Sequence, residues 1–166
     1  MPAREVIIVP HPTLRKKADP ISDFGEETQQ LIEDMIITLH EESGAGLAAP
    51  QVNVSKQVIL VEFGSEEDST IPPTLYVTIN PKITRFSKEM VSGAEGCLSI
   101  PGLMGEVERS QEIVVEGHDR HGSTVKMRLQ GWVARIFQHE IDHLNGILYT
   151  DRTTDVWETD ENYNPV

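Results

Sequence analysis

Residues 138–146, QHEIDHLNG, contain two histidines four residues apart, with a glutamate beside the first of them. On a helix, His139 and His143 lie about 40° apart on one face, so that both imidazoles can bind one metal ion. Glu140 would then reach a water at that ion and act as a base. The alternative is an ordinary buried helix, with hydrogen-bonded histidines and a salt-bridged Glu140. The complete HExxH pattern favours the metal site.

Two histidines do not complete a catalytic metal site, which usually has three protein ligands and one position open to water. The single cysteine, Cys97, lies in the segment GAEGCLS, whose glycines permit a close backbone approach. His40, His118 and His121 are other candidates, although the last two lie in a predicted surface turn. Cys97 alone could be an inert core thiol. Paired with HExxH, it is better interpreted as a thiolate ligand.

A third segment, GAGLAAPQ at residues 44–51, is rich in small side chains. It is not a phosphate-binding loop, because it lacks the Lys-Ser/Thr pair and follows a predicted helix instead of preceding one. One interpretation is a glycine that ends this helix, followed by a turn. The other is a wall of small residues along which a substrate backbone can lie, with Gln51 as an amide donor. The segment alone does not distinguish them.

The composition limits the classes of function. The chain has 166 residues, of which 38% are hydrophobic and 25% are charged, and this predicts one globular domain. A formal net charge of −13 argues against non-specific binding to DNA. No apolar run is long enough for a membrane span, so no membrane partner is expected. With no recognisable signal segment and a single cysteine, we expect a cytoplasmic protein.

Two helices and several short strands are expected to position these residues. Apolar residues at helical spacing predict a helix over residues 26–40 and a buried helix over residues 131–144 that carries HExxH. Runs of β-branched residues predict strands at 58–61, 76–79, 113–115 and 124–129. The predicted fold class is α+β, with mainly antiparallel sheets. Residues 1–150 are expected to form one catalytic domain, and residues 151–166 an acidic tail.

Together the three segments resemble the peptide deformylase family, whose members remove the N-formyl group from new polypeptides. The family patterns are G-x-G-L-A-A-x-Q, E-G-C-x-S and Q-H-E-x-D-H. This chain has GAGLAAPQ at 44–51, EGCLS at 95–99 and QHEIDH at 138–143, in the family's order. The resemblance implies antiparallel sheets around a central HExxH helix.

The resemblance also implies a role for each matching residue. The implied metal ligands are Cys97, His139 and His143. The implied catalytic groups are Glu140, as general base and acid, and the oxyanion donors Gln51 and the backbone N–H of Leu98. The implied cofactor is one divalent metal ion, Fe²⁺ in cells, with Ni²⁺, Co²⁺ or Zn²⁺ as alternatives, because thiolate and imidazole ligands suit all four ions.

Formyl-Met nascent peptides are the substrates that the resemblance implies. Such a peptide would pair as an added strand along the main chain near Gly46. We expect an apolar pocket for the methionine side chain beside the second helix, lined by Ile136 and Trp132. Ala45 occupies a position that is often Ile or Val in the family, and it is expected to reshape the pocket wall. A transient ribosome contact is also implied, although the acidic tail lacks the basic helix by which some members dock.

Supporting residues are predicted around the metal ligands. Glu95 is expected to accept the outer N–H of a metal-bound histidine. Asp142 is expected to pair with a buried arginine, for which Arg109 is a candidate. The alternative for both acids is simple solvation at the surface. Asn53 follows PQV at a position where the family usually has glycine.

Two other functions remain open. An HExxH protease would need a third His or Glu ligand after the motif. A binding module with a structural metal would need four protein ligands. The number and position of the ligands in the structure therefore distinguish both from a deformylase site.

Overall fold

The computed structural model describes residues 3–65, 67–160, 162 and 164–166. Helix α1 spans Glu26–Glu41 and helix α2 spans Gly131–Leu144, in agreement with the predicted helices. The strands are β1 Gly46–Ala48, β2 Val58–Phe63, β3 Thr74–Phe86, β4 Met90–Cys97, β5 Ile100–Ser110, β6 Glu112–His118, β7 Thr124–Gln130 and β8 Val156–Glu158. All named strand pairs are antiparallel, which confirms the α+β prediction. Neither α1 nor α2 is long and apolar enough to cross a membrane.

Strand β2 lies between β1 and β3 in the larger sheet, whose strand order is β1-β2-β3-β6-β7. Its residues alternate between two cores, as the period of two in a strand requires. Ile59 and Val61 belong to the cluster around α2, whereas Val58 and Leu60 belong to the cluster around α1. All four are fully buried, which explains the unbroken apolar run. The sheet is thus sandwiched between its two helices.

Helix α2 is buried from Ala134 to Leu144, and its apolar and polar side chains lie among different neighbours. Phe137, Ile141 and Leu144 pack into the larger core, where Phe137 contacts Tyr76 edge-on at a centroid distance of 5.4 Å. Each such side chain contributes about 1.5–3 kcal/mol through burial. The same helix buries six polar residues, which must find partners or bind an ion. They are Arg135, Gln138, His139, Glu140, Asp142 and His143.

A second, three-stranded sheet has the order β4-β5-β8, and none of its strands was predicted from the sequence. Cys97 is the last residue of β4 and is 8% exposed. β8 lies within the acidic tail and pairs with β5, with Trp157 opposite Met104. The tail therefore contributes a strand to this sheet.

Asn53 explains one departure from the family pattern. Its φ of 64° is in the left-handed region, which glycine adopts most readily and asparagine tolerates. Its side-chain oxygen accepts a hydrogen bond of 2.7 Å from the Thr13 hydroxyl. The asparagine therefore keeps the turn conformation and adds a tether to the N-terminal segment.

Candidate active site

Three candidate ligand atoms, one from β4 and two from α2, lie close together. Cys97 at the end of β4, together with His139 and His143 on α2, offers one atom each, and all three lie within 4.8 Å of one another. Cys97 Sγ and His143 Nε2 are 3.4 Å apart. Ligands of one tetrahedral ion would be separated by about 3.6 Å at ordinary sulfur and nitrogen bond lengths. The donor set therefore fits a divalent transition-metal ion.

The ring nitrogens of the two histidines suit ligation. Nδ1 of His139 lies 2.9 Å from Glu95 Oε1, which leaves Nε2 as the nitrogen available to an ion. Burial is the main cause that holds the pKa of His143 well below its ordinary value, so this ring is neutral and offers a lone pair. Its Nδ1 has no hydrogen-bond partner among the described residues. Both rings can therefore bind an ion through nitrogen.

Glu95 is held by cations on both of its oxygens. Arg109 donates to Oε1 and Oε2 at 2.8 and 2.9 Å, and Arg135 donates to Oε2 at 2.6 Å. Burial alone would raise the pKa of Glu95, but hydrogen bonds from Arg109 and His139 outweigh it and hold that pKa well below the ordinary range. The carboxylate stays ionised, which fixes the His139 ring and strengthens its basicity. The contact predicted for Glu95 is confirmed.

Asp142 continues this charged network towards the surface. It accepts a hydrogen bond of 2.7 Å from Arg109, as predicted, and two more from Arg152 at 2.5 and 2.8 Å. Arg109 thereby bridges two carboxylates, and its side chain is 3% exposed. A buried charge with such partners is tolerated because each of the three guanidinium nitrogens of Arg109 donates to a carboxylate.

Glu140 is placed between the histidines and the segment that contains Gly46. It is 4% exposed, and its Oε1 has no hydrogen-bond partner among the described residues. Burial raises the pKa of Glu140 to about 7. A carboxyl group with such a pKa can both accept and donate a proton near neutral pH. A Cβ at Gly46 would lie 2.5 Å from Glu140 Oε2, so this position needs glycine.

The Gln51 side chain is oriented by its own turn. Its Oε1 accepts a 2.9 Å hydrogen bond from the Ala48 N–H, which directs its amide NH₂ to the metal-ligand side. That NH₂ lies 3.6 Å from Cys97 Sγ and 3.2 Å from Ser99 Oγ. The segment GAGLAAPQ therefore reaches the candidate metal centre. The left-handed residue that ends α1 is Ser43, with a φ of 53°, and not Gly44, whose N–H only donates to Leu39 O at 3.1 Å.

A cavity of about 450 Å³ opens beside these groups. Its wall includes each residue that was expected to contact substrate: Ala45, Gly46, Trp132 and Ile136. It also includes each catalytic residue expected from the family: Gln51, Leu98 and Glu140. Trp132 is 37% exposed, while Ile136 is 8% exposed, so Trp132 lies nearer to the protein surface than Ile136.

Arg135 and Tyr149 also contact this site, although neither was predicted from the sequence to do so. A charged residue one turn before His139, on a helix predicted to be buried, was the available signal for Arg135. The Tyr149 ring stacks on His139 with centroids 6.0 Å apart and planes at 23°. Burial raises the pKa of Tyr149 to about 12, so its phenol remains neutral. Its stacking helps to fix the orientation of the His139 ring.

The ligand count bears on the two alternative functions. Within the described residues, Cys97, His139 and His143 form the single group of three or more metal-binding side chains. His40, His118 and His121 are not part of it. Among the residues that the structure describes, no His or Glu after the motif joins the group, as an HExxH protease would require, and no fourth protein ligand closes it as in a structural site.

Comparisons with known proteins agree with this geometry. The family model described as Polypeptide deformylase matches residues 3–158. A peptide deformylase from Halothermothrix orenii is 41% identical over 158 residues, covering 95% of this chain and 98% of that relative. One from Symbiobacterium thermophilum is 45% identical over 152 residues, covering 92% of this chain and 67% of that relative.

Two solved structures extend the agreement to the fold. Peptide deformylase from Thermotoga maritima has a TM-score of 0.85 at 38% identity, over 92% of this chain and 98% of that one. Met-Ala-Ser-bound class I type b peptide deformylase from Acinetobacter baumannii has a TM-score of 0.84 at 39% identity, over 91% and 98%. With matches along nearly its whole length, the chain belongs to the polypeptide deformylase family.

Proposed function

We propose that this chain removes the N-formyl group from the terminal formylmethionine of nascent polypeptides and releases formate. The observation that carries the proposal is the Cys97–His139–His143 group with the buried Glu140 beside it. Three protein donors leave a coordination position for water or substrate, as a hydrolytic metal site needs. The activity is that of the family to which the chain belongs.

The proposed roles of the metal ligands follow from their donor atoms. Cys97, His139 and His143 would hold one divalent ion, which when bound lowers the pKa of a water and polarises a carbonyl oxygen. Fe²⁺ is the ion proposed in cells, and Ni²⁺, Co²⁺ or Zn²⁺ also suit one thiolate and two imidazoles. Glu95 keeps His139 oriented, since it engages the nitrogen that faces away from the ion.

Glu140 is proposed as the group that moves the proton. Its carboxylate accepts a proton from the attacking water as the new C–O bond forms at the formyl carbon. It then donates this proton to the leaving nitrogen as the C–N bond breaks, so the products are formate and a free N-terminal amine. A pKa of about 7 suits both steps at neutral pH. The Gln51 NH₂ and the Leu98 N–H would donate to the oxyanion, and losing one such donor typically costs about 10²–10³ in rate.

The substrate peptide is proposed to lie between two sheet edges. β1 is at one edge of the larger sheet and β4 is at one edge of the smaller sheet, and residues of both line the cavity. A peptide can pair with such edges as an added strand. The methionine side chain would then enter the cavity beside Ile136 and Trp132, where small Ala45 leaves extra width. We place this reaction in the cytoplasm, with at most transient ribosome contact and no role for DNA or a membrane.

The experiment is a formate-release assay with formyl-Met-Ala-Ser, using protein purified anaerobically and analysed for metal. The wild-type chain should release formate, and Glu140→Ala should retain metal but lose at least about 10² in rate. Glu116→Ala removes an exposed carboxylate on β6 and serves as the matched control. No formate from metal-replete wild-type protein, or full activity of Glu140→Ala, would contradict the proposal. Cleavage of internal peptide bonds would indicate the protease alternative.

A further inference from the structure

Arg135 lies one helical turn before His139 on α2 and is 5% exposed. We propose that Arg135 is a positioning residue that couples the wall of the methionine pocket to the metal ligand His139. The coupling rests on the proposed function for the identity of the pocket's occupant. It goes beyond that function because it predicts that pocket fit and metal affinity change together.

The link from Arg135 to the metal centre passes through Glu95. Arg135 Nη1 donates to Glu95 Oε2 at 2.6 Å, and Glu95 Oε1 lies 2.9 Å from His139 Nδ1. All three side chains are less than 10% exposed, so these charge-assisted bonds are shielded from water. A displacement of Arg135 therefore moves the carboxylate that orients His139.

Arg135 is itself fixed by the second sheet. Nη1 also donates to Val107 O at 2.9 Å, and Nη2 donates to Val91 O at 2.6 Å. A Cβ at Gly93 would lie 2.9 Å from Arg135 Cζ, so the glycine makes room for the guanidinium to cross β4. The planar fork meets a carboxylate and two carbonyls at once, which a lysine ammonium cannot reproduce.

Arg135 also forms part of the pocket wall. Its side chain lines the cavity, and its Cζ lies 5.3 Å from the centre of the Trp132 ring. A cation at this distance is attracted to the ring face, so each of the two side chains restrains the other. A bound side chain that displaces Trp132 should therefore also displace Arg135, which donates a hydrogen bond to Glu95.

Arg109 provides a natural comparison within the same network. It donates two hydrogen bonds to Glu95, but it is not part of the cavity lining. Its loss should affect the metal centre alone, whereas loss of Arg135 should affect the metal centre and the pocket.

The test measures two equilibrium quantities and needs no turnover. Co²⁺ affinity of the metal-free protein is measured by competition with a chelator. Pocket selectivity is the ratio of the dissociation constants of Ala-Ala-Ser and Met-Ala-Ser, measured by calorimetry on Co²⁺-loaded protein. Arg135→Met should weaken Co²⁺ binding by about 10–100-fold and reduce the selectivity ratio by roughly threefold or more.

Two control variants distinguish effects on Co²⁺ affinity from effects on pocket selectivity. Arg109→Met should weaken Co²⁺ binding and leave the selectivity ratio within about twofold of wild type. Arg128→Met removes an arginine whose side chain is 76% exposed and should change neither quantity. Circular dichroism verifies that each variant is folded. If Arg135→Met does not fold, Arg135→Lys takes its place, and both quantities should fall in parallel but by less than the amounts expected for Arg135→Met.

The coupling is wrong if Arg135→Met changes one quantity and leaves the other within about twofold of wild type. It is also wrong if Arg135→Lys separates the two effects. Both results can be obtained from a protein that releases no formate, so failure of the coupling and failure of the deformylase proposal are distinguishable.

Discussion

Replacing Gly46 with alanine should disable the site without removing a single polar group. The new Cβ would lie 2.5 Å from Glu140 Oε2, 2.9 Å from Glu140 Cγ and 2.9 Å from Ile136 Cγ2. Ordinary contact begins at 3.4 Å, so the carboxylate must retreat by about 0.9 Å. Glu140 is buried on a packed helix and has little room to move.

The size of the effect follows from this displacement. A misplacement of about 1 Å at a reacting group can cost about 10²-fold in rate. We therefore expect kcat/KM of Gly46→Ala for formyl-Met-Ala-Ser to fall by about two orders of magnitude. Metal content should stay at the wild-type level, because the three atoms nearest to the new methyl group belong to Glu140 and Ile136 and not to a metal ligand.

The assay is formate release under steady-state conditions, with metal analysis and a thermal unfolding curve for each variant. Gly25→Ala is the matched control, because its Cβ also meets an atom at 2.9 Å, but that atom belongs to the exposed side chain of Asp23. Activity of Gly25→Ala should equal that of wild type. A Gly46→Ala protein that is folded, contains metal and retains kcat/KM within about threefold would refute the role given to Glu140.

Three further predictions concern the ion, the charged network and the core. Removing metal with a chelator should abolish formate release, and adding Co²⁺ anaerobically should restore it; activity that survives verified metal removal would exclude a metal-dependent reaction. Because the pKa of Glu95 is lowered in the folded protein, its ionised carboxylate stabilises the fold above about pH 4.5. This contribution to the free energy of unfolding is lost as the pH falls below that value. Urea unfolding of metal-free protein should therefore show that Glu95→Gln differs from wild type at about pH 6 and differs less at about pH 3, and a constant difference would contradict this. Phe137→Ala empties a fully buried position and should reduce the free energy of unfolding by about 3–5 kcal/mol, and a loss below about 1 kcal/mol in urea titrations would show that the site collapses readily.

Local sequence patterns predicted both helices because their signals are strong and short-ranged. The spacing of apolar residues gave α2 as Gly131–Leu144, the bounds that it has in the structure. The smaller sheet was not predicted, because β4 and β5 contain several glycines and their pairing depends on distant residues. β8 has three residues, and its strand conformation depends on its pairing with β5, which local propensity cannot indicate.

The metal ligands could be proposed from residue chemistry, whereas their supporting contacts could not all be foreseen. Cys97 was proposed because thiolate suits an incomplete HExxH site, although 42 positions separate it from His139 in the numbering. Glu95 and Arg109 were correctly placed in supporting roles. Arg135 was not, because its three partners come from β4 and β5, the strands that were not predicted.

The two strands that flank the cavity have a consequence for self-association. In the described part of the chain, β1 and β4 each pair with one neighbouring strand, so each leaves an edge that another chain could extend. β1 limits this risk because it is three residues long. The net charge of −13 at pH 7 adds mutual repulsion between molecules. Aggregation should therefore increase as the pH approaches the isoelectric point of about 4.8, where this repulsion disappears while the described strands β1 and β4 each keep an unpaired edge.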